Sequence, residues 1–136
     1  MQIPGDETLK EILTPPKRVA IVGLSGKPDR ASNEVGGYLK EQGFEIIPVN
    51  PGENEVFGIK AVKSLSDIEG HVDIVDVFRG SEHLPEIAEE TVKIGADVFW
   101  AQLGVSNEEA YDHLKENNVE VVMDRCMLQE HNRLGN

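Results

Sequence analysis

A chain of 136 residues is one ordinary domain, long enough to bury roughly two-thirds of its unfolded surface without a disulfide or metal staple. Its 13 Lys and Arg against 25 Asp and Glu give a net charge of −12, which argues against nucleic acid and anionic membrane surfaces as partners. No stretch approaches the ~18 apolar residues of a membrane span, and a single cysteine, Cys126, excludes an internal disulfide and agrees with a reducing, cytoplasmic location.

Met1 to Thr14 carries Asp6, Glu7 and Glu11 and lacks the apolar run of a secretory signal. Asp6 reads as the cap of a short helix through Leu13 that Pro15-Pro16 stops. Val19 to Val22 is a continuous apolar run ended by Gly23, the pattern of a central parallel strand covered on both faces. A helix from Asn33 to Gln42 follows, with Ser32 placed as its cap and Gly43 as its stop. Phe44 to Val49 forms the second strand, closed by the turn Asn50-Pro51-Gly52. Glu53 to Gly70 carries little regular signal beyond one helical turn at Ser66-Asp67-Ile68. Val72 to Phe78 is the third strand, Glu82 to Ile94 a helix ended by Gly95, and Asp97 to Ala101 the fourth strand. Ser106 or Asn107 caps a helix through Glu116, with Glu108 and Glu109 favouring its first turn. Val119 to Met123 is the fifth strand, and the tail turns helical over Met127 to Arg133.

Strands alternating with helices imply right-handed crossovers, hence a three-layer, Rossmann-like, doubly wound α/β domain with a parallel five-stranded sheet spanning residues 1–136. The expected strand order is 3-2-1-4-5, with the ligand crevice at the carboxyl ends of the first and fourth strands. Gly23 to Arg30, Asn50-Pro51, Phe78-Arg79 and Gln102 to Gly104 all follow strand ends and are expected on one rim.

The first of these segments suggests an anion. A strand, a Gly/Ser/Pro turn and a helix N-terminus present backbone N–H groups to a phosphate, and Lys27 and Arg30 add charge beside them. Charge distribution agrees, since Met1 to Asn50 holds six basic and seven acidic residues, whereas Pro51 to Asn136 holds seven and eighteen. The dinucleotide fingerprint G-x-G-x-x-G is replaced by Gly23-Leu-Ser-Gly-Lys-Pro-Asp-Arg-Ala-Ser32. Where an acidic side chain would end the second strand to bind both ribose hydroxyls, the chain has Val49-Asn50-Pro51. A ribose-phosphorylated adenine nucleotide, coenzyme A or NADP, is therefore a better target than NAD.

Five ordered motifs, Val-Gly-Leu-Ser-Gly-Lys-Pro-Asp-Arg from Val22, Pro-Val-Asn-Pro-Gly from Pro48, Ser-Leu-Ser-Asp-Ile from Ser64, Val-Asp-Val-Phe-Arg from Val75 and Val-Met-Asp-Arg-Cys from Val122, carry a resemblance. Over Ile12 to Leu134 the chain resembles the stand-alone coenzyme A-binding proteins, Rossmann-like cytoplasmic proteins related to the first domain of the succinyl-CoA synthetase α subunit. The resemblance implies that Gly23, Leu24, Ser25, Gly26, Lys27 and Pro28 form the loop around the nucleotide, with Arg30 and Ser32 at its phosphate end. It implies further that Asn50-Pro51 flanks the adenosine, and that Phe78-Arg79 and Ala101-Gln102-Leu103 border the ligand. Two positions depart from the synthetase: Glu53 stands where it has a lysine, and Leu103 where it has a glutamate. The 3′-phosphate would then fall to Lys27, Arg30 or Arg79. The chain stops short of the synthetase's second domain and its phosphorylated histidine, so ligase activity is not implied.

Other groups have a plainer reading. Asp76, inside the third strand, is expected in a structural pair, with Arg125 as partner. An ion pair with a nearby carboxylate is the plain alternative for Arg79. The four histidines show no ligand spacing, so no metal site is expected. Cys126, after Arg125 and before a helix, is a candidate for a mixed disulfide with the coenzyme A thiol.

The leading expectation is a non-catalytic protein that binds coenzyme A or acyl-CoA as carrier, sensor or regulatory subunit, because the rim shows no nucleophile–base pair. The alternatives are an enzyme acting on acyl-CoA or using NADP through Asp76, Asp124 or Cys126, and an interaction protein whose crevice is vestigial. Neither a protein partner nor a homo-oligomer is evident from the residues.

Overall fold

The computed structural model describes residues 1–134. Five strands form one parallel sheet: β1 (Arg18–Val22), β2 (Glu45–Val49), β5 (Ile74–Val77), β6 (Val98–Ala101) and β7 (Glu120–Val122), while β3 (Glu55–Val56) and β4 (Ile59–Lys60) make a separate hairpin. The helices are α1 (Asp6–Leu13), α2 (Ala31–Glu41), α3 (Leu84–Ile94), α4 (Glu108–Glu116) and α5 (Met127–Arg133). The period of two within the strands divides the core. Val19, Ile21, Ile74, Val98 and Trp100 pack with residues of α1, α2 and α5, whereas Ala20, Val22, Val75, Val77 and Phe99 pack with those of α3 and α4. All four residues of β5 and of β6 are buried, as a strand covered on both faces requires.

The three-layer parallel sheet agrees with the sequence reading, but the strand order does not. The sheet runs β2-β1-β5-β6-β7, so the third strand of the sequence lies beside the first and not beyond the second. Crossover handedness explains the correction. The β1–α2–β2 connection passes over one face, and the link from β2 to β5, after the β3–β4 hairpin, has in place of a crossover helix a 3₁₀ turn, Leu65–Asp67, which packs against α3 on the other face. A right-handed crossover on the opposite face runs the opposite way across the sheet, returning the chain from β2 past β1 to pair on the far side of β1. β2 is thereby an edge strand, and Pro48 sits in it without loss: its carbonyl accepts from Val62 N–H on the outer side, where its missing N–H would also point.

The hairpin lies in the stretch that carried little sequence signal. Phe57 and Gly58 form its two-residue turn, both at positive φ (57° and 74°). A phenylalanine there costs on the order of 1 kcal/mol of backbone energy. Its ring repays this against α2, where Gly36 and Gly37 leave room for it.

Helix starts differ from expectation at two positions. Gly5, not Asp6, is the N-cap of α1, and Arg30 is that of α2, two residues before the expected Ser32 cap. Asn107 does cap α4, its side-chain oxygen accepting from Ala110 N–H at 2.9 Å.

Gly23 closes β1 onto β5. Its φ is +88°, and a Cβ at this position would stand 2.7 Å from the Phe78 carbonyl oxygen. Gly23→Ala is expected to cost at least about 2 kcal/mol, combining left-handed strain with a clash against backbone. A lowered urea midpoint with unchanged slope checks it, and an unchanged midpoint contradicts the close approach.

Candidate functional site

Because β1 leads to β2 on one side and to β5 on the other, the winding reverses at the carboxyl end of β1, and the chain leaves a crevice there. It is a cleft of about 960 Å³ between the loop after β1, the turn after β2, and the segment from the end of β5 into α3. Nine expected residues line it: Gly23, Ser25, Lys27, Arg30, Ser32, Asn50, Pro51, Phe78 and Arg79. Three others share the loop without forming the wall. Leu24 is fully buried in the core, Pro28 is exposed, and Gly26 lies beneath the Glu53 carboxylate.

Ala101, Gln102 and Leu103 are elsewhere. With β5 between β1 and β6, the end of β6 is one strand too far from the switch point. Ala101 and Gln102 are buried and Leu103 is 61% exposed outside the cleft. The cleft instead recruits Lys63, Ser64 and Leu65 from the β2–β5 link and His83, Glu86, Ile87 and Glu90 from the start of α3. The sequence carried one sign of the second group, an i, i+4 pair of glutamates on the helix that follows β5; nothing marked Lys63.

Side chains hold the loop in shape. Ser25 N–H donates to Ser32 Oγ at 3.0 Å, and Asn33 Nδ2 donates to the Ser25 carbonyl at 2.9 Å. Ser32 is thus not a helix cap; its buried hydroxyl braces the loop. Asn50 Nδ2 donates to the Leu24 carbonyl at 3.0 Å, while its oxygen accepts from Gly52 N–H at 2.9 Å. Asn50 is the joint between the two loops, so its polar atoms are already engaged. Gly26 N–H donates to Glu53 Oε2 at 2.7 Å, and Lys27 N–H to Ser25 Oγ at 3.1 Å.

The cations show where an anion would dock. Arg18, Arg125 and Arg133 each have carboxylate or carbonyl partners. Among the described residues, Arg30 and Arg79 have none, and both line the cleft, as do Lys27 and Lys63. The ion pair considered for Arg79 is therefore absent within the described chain. A cluster of free cations in a chain of net charge −12 is a local reversal of sign.

A search of known proteins places this geometry. Residues 17–132 match the family model described as a CoA binding domain. The chain belongs to that coenzyme A-binding family. The Bacillus subtilis (strain 168) protein YneT is 53% identical over 131 residues, covering 96% of this chain and 97% of its own. The α subunit of acetate–CoA ligase (ADP-forming) II from Pyrococcus furiosus is 37% identical over 106 residues, 74% of this chain but only 23% of the ligase subunit. A solved structure of a hypothetical protein from Pyrococcus horikoshii OT3 superposes with a TM-score of 0.95 at 39% identity, covering 100% of this chain and 98% of that one. The chain thus spans less than a quarter of the length of that ligase subunit.

The three groups considered for chemistry do not line the cleft. Asp76, Asp124 and Cys126 are not among its lining residues. Cys126 is the N-cap of α5 and packs against the α1/α2/α5 side of the core. Arg125 is not the partner of Asp76; it bonds to the carbonyl of Asp124. Asp76 is fully buried, Gln102 Nε2 donates to its Oδ1, and its Oδ2 has no partner among the described residues. Gln102 Oε1 in turn accepts from Met127 N–H at 3.3 Å, tying the end of β6 to the start of α5.

Burial pushes the Asp76 carboxyl up to about 7, the Gln102 hydrogen bond opposing the shift. The folded chain then keeps a proton that the unfolded chain releases near its ordinary value of 3.8, so stability falls as pH rises from about 4 to about 7 and levels off above. Asp76→Asn preserves the shape and the Gln102 bond while removing the charge. Urea titrations at pH 5 and pH 8 should show the variant gaining more stability over the wild type at pH 8 than at pH 5, where the wild type's loss is only partly developed; equal differences at both would contradict a protonated Asp76.

Proposed function

We propose that this protein holds coenzyme A or an acyl ester of it, as a non-catalytic binding, carrier or regulatory protein. The observation that carries the reading is the set of unpaired cations, Lys27, Arg30, Lys63 and Arg79, around one cleft at the sheet's switch point. A coenzyme A molecule brings a pyrophosphate and a ribose phosphate, and each of these can use a guanidinium or ammonium that has no competing partner. Phe78, partly buried at the cleft floor, offers an apolar surface for a base or for the pantetheine arm. The lining contains no histidine hydrogen-bonded to a serine or cysteine: His83 faces Glu82 at 3.5 Å, and Ser25 Oγ accepts from a backbone N–H. That supports holding a cofactor over transforming one. It also supports the cleft residues from Gly23 to Ser32, Asn50-Pro51 and Phe78-Arg79 as the binding set, with Leu24 shaping the loop from beneath. Ala101 and Gln102 contribute to the scaffold behind β5, while Leu103 is exposed beyond it.

Calorimetric titration with coenzyme A, dephospho-coenzyme A, NADP and NAD tests the reading. Coenzyme A should bind tightest, with a clear loss on removing the 3′-phosphate; equal binding of NAD would defeat it. Arg79→Gln, exposed and outside the core, should leave stability unchanged and weaken coenzyme A about ten-fold, the equivalent of ~1.4 kcal/mol. Undiminished affinity in that variant would remove Arg79 from the site.

A further inference from the structure

Glu53 is the unexpected element of the cleft. It lines the same cleft as the four cations, yet among the described residues it pairs with none of them; its carboxylate accepts from the Gly26 N–H at 2.7 Å instead. Both carboxylate oxygens would lie 3.3 Å from a Cβ at Gly26, so the group rests directly over the loop. The neighbouring amides are already committed to bracing side chains, Ser25 N–H to Ser32 and Lys27 N–H to Ser25. Gly26 N–H is thus the amide of this run held by a side chain from across the cleft, and the chemistry of its partner, an anionic oxygen on a backbone N–H, is that of a ligand phosphate.

Glu53 is positioned for this by the fold and not by the loop. Its own N–H donates to the Asn50 carbonyl at 3.2 Å, which ends the turn after β2, and two residues later begins the hairpin that Phe57 fastens onto Gly36 and Gly37 of α2. The base of the side chain is fixed by that turn, and the residue is half-buried at the cleft wall.

We propose that Glu53 is an intrinsic stand-in for the ligand's phosphate: its carboxylate accepts from the Gly26 N–H, and a phosphoryl oxygen must displace it to bind. This rests on the coenzyme A reading of the cleft. The displaced carboxylate remains near the incoming phosphate, so the residue weakens binding twice, through the bond that must break and through like charge. Glu53 then sets how readily the site fills, keeping affinity below what the unpaired cations alone would give.

Glu53→Gln removes the charge and keeps the shape, and Glu53→Ala removes the acceptor altogether. Titrated with coenzyme A by calorimetry, both variants should bind about ten-fold more tightly than the wild type. In ¹⁵N-resolved NMR spectra, the Gly26 amide of the free protein should shift on either substitution, and coenzyme A should move it in the wild type as well. Wild-type binding with equal or weaker binding by both variants would overturn the Glu53 proposal and leave the functional reading intact. Absence of coenzyme A binding by all three would defeat the functional reading, and inorganic pyrophosphate would then decide about Glu53. Tighter pyrophosphate binding by the variants, with a shift at Gly26, supports the displacement; no difference between variants and wild type overturns it.

Discussion

Two connections leave β1 and β2 over opposite faces of one sheet, and their common right-handedness forces the chain to spread from β1 in both directions. From that follows the position of the cleft, since only where neighbouring strands lead away from each other do the loops at their carboxyl ends part. The same constraint brings β1 and β5 so close that Gly23 must lack a side chain, because the Phe78 carbonyl occupies the space. It also explains why the end of β6 contributes nothing to the cleft wall. β5 intervenes, and Gln102 turns its amide inward to Asp76 and to the start of α5.

The elements were readable because each carries its own period. Apolar runs marked the strands to within about two residues, and the helix over Met127–Arg133 emerged from a polar tail with the bounds expected. The order of the strands was not read, although Pro48 carried a usable sign: a proline inside a strand belongs at an edge, and the expected order made that strand internal. The hairpin escaped because a Phe-Gly turn replaces the usual Asn-Gly, its backbone cost being covered by a partner more than twenty positions earlier. Ser32 was misread for a related reason. A serine before a helical pattern fits a cap, yet here the helix begins one residue earlier and the hydroxyl serves a loop amide seven residues away.

Burial and charge divide the molecule along the line of β5. On one side the polar rim is left incomplete, with arginines lacking partners and a carboxylate lodged on a backbone amide. On the other, polar atoms are sealed: Trp100 Nε1 donates to the Arg125 carbonyl at 2.8 Å, and Asp76 and Gln102 are enclosed. Unpaired surface arginines cost little in water, where they remain solvated, so an open cationic rim is compatible with a stable fold. A buried carboxyl with one orphan oxygen is not free in the same sense, and the fold tolerates Asp76 by retaining its proton.

The strongly acidic composition sharpens the same contrast. Repulsion from a net charge of −12 is screened within about 10 Å at moderate ionic strength, so a phosphate at the cleft responds mainly to its immediate neighbours. Those neighbours are Lys27, Arg30, Lys63 and Arg79 on one side of the balance and Glu53, Glu86 and Glu90 on the other. The local sum, four cations against three carboxylates, is close enough to even that a single side chain decides the field a ligand meets. Glu53 is the carboxylate placed on the loop itself, where an anionic ligand would make its backbone contacts. In a cleft so evenly poised, affinity depends less on the global charge than on whether that one carboxylate stays or moves.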